Sequence, residues 1–252
     1  MDIANTKARR WPFLDNWATR QLSFALEAAI VVFFFVKLDK LTYAGLLKLD
    51  LIAPITRGTS PTTGMIALIT SVSLLFVAGT LWLSQTLRTA KFVDYGLQWP
   101  VPFRRFLIGT LLGGIVLQLF IGQALMPVLE HFFQSKALAP AVPDLFSLLV
   151  AFALSFIAGG LREELFFRGY LISRIRNAFG PRSWATPAAA GIQICLFGYL
   201  HSYQGPVGII ATGASAVAFT AVFLVTGNLW VSIMLHGFYD AAGFVLLYLG
   251  FK

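Results

Sequence analysis

LFSLLVAFALSFIAGGLREELFFRG, residues 145–169, decides how this chain is read. Its first seventeen residues carry no charge and approach the roughly 20 that a helix needs to cross a bilayer core. An Arg and two adjacent Glu follow at once, then Arg168. Ionisable groups in or beside hydrocarbon are expensive, so a pair of carboxylates here requires a physical reason, and chemistry is the leading one.

The whole chain has the composition of that stretch. Of its 252 residues 58% are hydrophobic and 12% charged, 24 are Phe, and the mean hydropathy is +0.77. A chain of this length cannot hide so much apolar surface inside a water-soluble globule. The formal charge of +8 would suggest nucleic acid in a soluble protein. Here the basic residues fall mainly between apolar runs, where cytoplasmic loops and anionic headgroups account for them, and no nucleic-acid role is expected. The single cysteine, Cys195, excludes an intramolecular disulfide and is read as an inert packing residue.

Working outward, apolar segments lie at residues 22–36, 63–83, 106–129, 145–161, 184–200, 206–226 and 229–250. The expectation is an all-α polytopic integral membrane protein of seven to eight transmembrane helices, forming one domain over 1–252. Residues 37–63, broken by Lys40, Lys48, Asp50 and Pro54, are read as an interfacial or re-entrant helix. Arg88, Lys91, Arg104 and Arg105 mark one cytoplasmic loop, and Arg174, Arg176 and Arg182 mark a second. The loop 131–144, with one Lys, is external. Glu27 in the first segment is read as a packed or interfacial carboxylate, and His131 as an uninvolved loop residue. The late glycines Gly205, Gly208, Gly213 and Gly227 suit close helix packing.

Three polar constellations stand among the apolar neighbours. Glu164 and Arg168 are one helical turn apart and should form an ion pair. Glu163, rotated about 100° away on an ideal helix, is then freer to act on a water or a substrate. Phe197 and His201 are spaced so that the ring can shield the imidazole. His236 and Asp240 share a face in the last segment. Buried charges without partners are costly, so the economical arrangement brings these groups together.

Glu-Glu-x-x-x-Arg, Phe-x-x-x-His and His-x-x-x-Asp, in that order on successive apolar segments, resemble the CPBP family of CaaX proteases and bacteriocin-processing proteins, which includes the Ras-converting CaaX endopeptidases. The resemblance covers about 145–250. It implies a glutamate-type intramembrane endopeptidase acting on membrane-associated, in some members prenylated, proteins or peptides. On this chain Glu163 with His201 would activate a water, Glu164 and Arg168 would pair beside them, and His236 with Asp240 would stabilise the oxyanion. An ionised Asp240 cannot donate a hydrogen bond, so it could instead orient and charge His236.

The residues also admit other readings. Glu163, His201 and His236 could supply three zinc ligands, although nearby Arg168 would repel a cation, and no cofactor is expected. The same groups could relay protons or cations in a transporter, or the chain could be a non-proteolytic immunity or scaffold protein. The basic N-terminus and the lack of a targeting segment look like a prokaryotic plasma-membrane protein.

Overall fold

The computed structural model describes residues 16–48, 63–88, 92–99, 102–137 and 142–251. Within them the chain is helical without strands, in seven rods: α1 Trp17–Lys48, α2 Thr63–Arg88, α3 Phe103–Phe133, α4 Leu145–Phe179, α5 Ala185–Leu200, α6 Gly205–Thr226 and α7 Leu229–Tyr248. Short 3₁₀ turns occupy Phe92–Tyr95 and Ser202–Gln204. Only helices satisfy every backbone group within a bilayer without an edge to close. Five of the rods are long and apolar enough to cross a membrane, and α5 is a shorter apolar helix.

Large apolar side chains cover the outside, as with Leu75, Phe146 and Val225, which are 73%, 69% and 86% exposed. A surface of this kind is stable against acyl chains and not against water. The protein is an all-α polytopic integral membrane protein. Cys195 belongs to this outer face: it is exposed rather than packed, because α5 turns that side away from its neighbours.

The structure departs from the sequence reading at several helix ends. α1 does not stop near residue 36 but continues through Lys37 to Lys48, so the start of the doubtful 37–63 region extends the first helix. Residues 49–62 lie outside the described residues. His131 belongs to the last turn of α3, not to a loop. The largest change is in α4. At 35 residues and ~1.5 Å per residue it is about 50 Å long, so Glu163 and Glu164 sit near its middle instead of at the end of a span. Asp144 starts it, accepting a hydrogen bond from the Ser147 amide at 2.7 Å. That bond holds the Asp144 carboxyl below its usual range.

Extension of α4 carries Arg174 out of the anticipated loop and into the protein, where it is 3% exposed. Its Nε donates to Glu27 of α1 at 2.9 Å and its Nη2 donates to Tyr95 Oη at 2.9 Å and to Ser84 of α2. Tyr170 also donates to Glu27, at 3.0 Å. Glu27 is therefore a helix-packed carboxylate, tying α1 to α4. We expect Glu27→Ala to lower stability by on the order of 2 kcal/mol, since hydrogen bonds to a charged group carry that much. Thermal unfolding in detergent measures it.

Between helices in lipid, close backbone approach replaces the hydrophobic effect as the packing force. It occurs at Gly114, where a Cβ would lie 2.8 Å from the Tyr239 amide of α7, at Gly160, 2.7 Å from the Ile233 carbonyl, and at Gly198, 2.8 Å from the Ile209 carbonyl. Gly213 joins this set by lying against Gly198. Gly205 and Gly227 do not: both have positive φ with open space around them, and they serve the turns before and after α6.

One end of the bundle is marked by aromatic clusters. Trp99 stacks on Phe103 at 5.7 Å and meets Trp230 edge-on at 5.5 Å. Arg182 lies over Trp184 and Trp17. Tryptophans of this kind sit at headgroup level. Arg174 reaching Tyr95 and Ser84 places the end of α2, the turn Phe92–Tyr95 and the end of α4 at this same end.

Candidate active site

The three constellations meet where α4, α5, α6 and α7 pack, with Phe197 as the common shelf. Its ring centroid is 4.8 Å from that of His201, 6.1 Å from that of His236 and 4.9 Å from that of Phe167. The Arg168 guanidinium lies 4.7 Å from it. Aromatic faces offer a cation a favourable quadrupole in an apolar surround.

α4 is not a plain α-helix here. Hydrogen bonds close as wide π turns over Ser155–Glu163 and Leu165–Leu171. Such turns are uncommon and gather at functional sites, because they displace side chains from the positions an α-helix would give. The ideal 100° rotation between Glu163 and Glu164 therefore does not apply as stated, yet the two carboxylates still diverge.

Glu164 is enclosed, at 0% exposure. Its Oε1 accepts from Arg168 Nη1 at 2.8 Å and from His236 Nδ1 at 2.7 Å, and its Oε2 accepts from Ser232 Oγ at 2.5 Å. Arg168, also 0% exposed, donates further to Thr220 Oγ1 and the Ala216 carbonyl of α6, both at 3.3 Å. Thr220 in turn donates to Gln193 of α5 at 3.0 Å. The expected Glu164–Arg168 pair is present, and it is the centre of a network joining four helices.

Glu163 differs. Its side chain keeps 13% exposure, and its hydrogen-bond partner is Arg162 Nη2 at 2.9 Å. His201 and His236 lie close enough to act on its charge. No hydrogen bond joins Glu163 to His201 among the described residues. His201 caps the end of α5, and its Nδ1 is 2.8 Å from the Phe197 carbonyl. A carbonyl only accepts, so Nδ1 carries a proton and Nε2 is the nitrogen left without a hydrogen bond among the described residues.

His236 stacks on Phe219 at 4.2 Å. With Nδ1 given to Glu164, its Nε2 faces Asp240 Oδ2 at 3.5 Å. A Cβ at residue 159 would collide with Asp240 Oδ2 and lie 3.3 Å from His236 Nε2, so Gly159 is what leaves this corner room. Among the described residues no group of three or more His, Cys, Asp and Glu side chains is arranged to hold a metal ion.

The structure thus brings Glu163, Glu164, Arg168, Phe197, His201, His236 and Asp240 into one neighbourhood. Sequence reasoning alone does not single out Arg162, Gly159, Gln193, Phe219, Thr220 or Ser232. Ser232 is detectable in principle, since Ser232, His236 and Asp240 form one stripe at helical spacing. Thr220 and Phe219 give no signal, because α6 is apolar on every side.

Residues 145–242 match the sequence model of the Rce1-like family, described as type II CAAX prenyl endopeptidase. No curated protein and no solved structure matches the chain. The match begins with α4 and ends just beyond Asp240, spanning every residue of the cluster, so the part of the chain that carries the candidate site is similar to the CaaX-type endopeptidases.

Proposed function

We propose that the chain is a glutamate-type intramembrane endopeptidase, with helices 145–250 as its catalytic part, that hydrolyses peptide bonds of membrane-associated, lipid-bearing or otherwise apolar substrates. The observation that carries this reading is the unlike fate of two neighbouring carboxylates. Glu164 is saturated by three donors and closed off. Glu163 is partly open, and His201, with Nδ1 committed to the Phe197 carbonyl, has no hydrogen bond at Nε2 among the described residues.

A water held between Glu163 and His201 Nε2 would lose a proton to them as its oxygen bonds to the substrate carbonyl carbon. The proton then passes to the amide nitrogen as the C–N bond breaks. Negative charge on the carbonyl oxygen needs a donor or a positive group. The His236 edge beside Gly159 supplies it, with Asp240 orienting the ring from 3.5 Å. An apolar cavity of about 300 Å³, lined by Leu111, Ile115, Phe152, Phe238 and Ala241 next to Asp240, would take the apolar part of the substrate. The basic N-terminal segment favours a cytoplasmic N-terminus.

Every step is assigned to side chains and none to a metal. Purified protein is therefore expected to cleave a prenylated or apolar peptide after exhaustive chelation, and His201→Ala to lose about 10²–10⁴-fold in rate. Activity that vanishes with chelator and returns with zinc would overturn the metal-free mechanism. Full activity of His201→Ala would remove His201 from it.

A further inference from the structure

At the aromatic end of the bundle, away from Glu163, a cavity of about 210 Å³ opens between the end of α4, the start of α5, the end of α6 and the 3₁₀ turn Phe92–Tyr95. Its lining includes Asp94, Arg168, Ser173, Arg176, Thr186 and Leu224. Three of these residues are unused hydrogen-bond donors, for Ser173, Arg176 and Thr186 make no hydrogen bond or ion pair among the described residues. Ser and Thr on membrane helices ordinarily donate back to a carbonyl of the preceding turn, as Thr80, Thr110, Ser155 and Thr212 do here. Ser173 and Thr186 leave that bond unmade while facing the same space as a guanidinium.

The charge of the lining is informative. Arg168 beneath the cavity is already matched by Glu164. The other charged groups on the walls are Arg176 and Asp94. Arg176 with two hydroxyls is a donor set for phosphate oxygens. Asp94 has an interaction of its own, and because a carboxylate has lone pairs for several donors at once it can accept from an ammonium as well. The volume holds roughly seven water-sized groups, the scale of a phosphate bearing a short amino-alcohol. The neighbouring Trp99, Phe103, Trp184 and Trp230 put the mouth at headgroup depth, and Leu224 gives the adjoining wall an apolar side for a glycerol and its chains.

We propose that this cavity is a binding site for a phosphoethanolamine group, presented by a zwitterionic phospholipid. Arg176, Ser173 and Thr186 hold the phosphate and Asp94 accepts from the amine. The site is separate from the peptidase reading and stands or falls without it.

Native mass spectrometry of the detergent-solubilised protein with added phosphatidylethanolamine or phosphatidylglycerol tests it. Retention of the first is expected to exceed that of the second about tenfold, the weight of one hydrogen-bonded charge. Arg176→Ala should abolish retention of both. Asp94→Asn should keep phospholipid bound while erasing the preference, which separates recognition from misfolding. Soluble O-phosphoethanolamine that displaces the lipid supports the same contacts; if it binds while phosphatidylethanolamine is not retained, the lipid source is overturned. Equal retention of the two lipids by the unaltered protein, or retention unchanged in Arg176→Ala, overturns the site.

Discussion

Glu163→Gln is expected to reduce peptide hydrolysis by two to four orders of magnitude, the range that a positioned general base contributes, while leaving the protein folded in the membrane. The substitution is nearly isosteric and removes only the capacity to take a proton. Structurally it should be mild, because Glu163 keeps a single hydrogen-bond partner, Arg162, and that donor can still find the amide oxygen of Gln. A turnover assay with a prenylated or apolar peptide, run beside thermal unfolding of the same preparation, reads the two effects separately. Lost activity with an unchanged unfolding temperature is the expected pattern. Retained cleavage would move the base elsewhere, and the alternatives within reach are His201, by its Nε2, and Asp240.

The all-helical membrane class is legible from composition together with apolar runs near 20 residues, since the strands of a closed barrel would read as runs of about ten with alternating polarity. Helix boundaries are less so. Residues 161–179 look like the end of a span and a basic loop because their charges are counted as solvent-facing. In the structure Arg168 and Arg174 are inside, each neutralised by a carboxylate, Glu164 or Glu27, and the helix runs on through both. Hydropathy counts charges one at a time, whereas burial depends on pairs formed across helices, and Glu27 is 147 residues from Arg174.

Within the site, spacing identifies the members that share a helix face: Glu164 with Arg168, Phe197 with His201, and His236 with Asp240. What it cannot identify is which groups pair between helices. His236 is tied to Glu164, a contact that no local pattern announces. Nor does a pattern distinguish the π turns around Glu163 from an α-helix, because both place apolar and polar residues at nearly the same intervals. Arg162 is hidden differently: adjacent residues on a helix do not usually face each other, yet in the widened turn its guanidinium reaches Glu163.

Arg168→Ala is expected to cost about 3–5 kcal/mol of stability, the penalty for removing one partner of a buried ion pair, and to appear first as lost protein in the membrane. Arg168 is 0% exposed and leaves three groups short when it goes: the Glu164 carboxylate, Thr220 Oγ1 and the Ala216 carbonyl. Its guanidinium also lies between Phe197 and Phe219, so truncation opens a void beneath both histidine rings. Arg168→Met fills most of that void and isolates the electrostatic part. Combining it with Glu164→Gln removes the stranded charge, and the double variant should recover part of the stability lost by Arg168→Met, because an uncharged pair of similar volume no longer has a carboxylate to satisfy. Activity should not recover with it. His236 Nδ1 donates to Glu164 Oε1 at 2.7 Å, and a Gln amide turned the wrong way would meet it donor to donor, releasing the ring from its place beside Gly159 and Asp240. Unfolding temperature and turnover measured across the four proteins decide this. A double variant that regains stability but not catalysis assigns Glu164 to holding His236; one that regains both would make the Glu164–Arg168 pair a strut and nothing more.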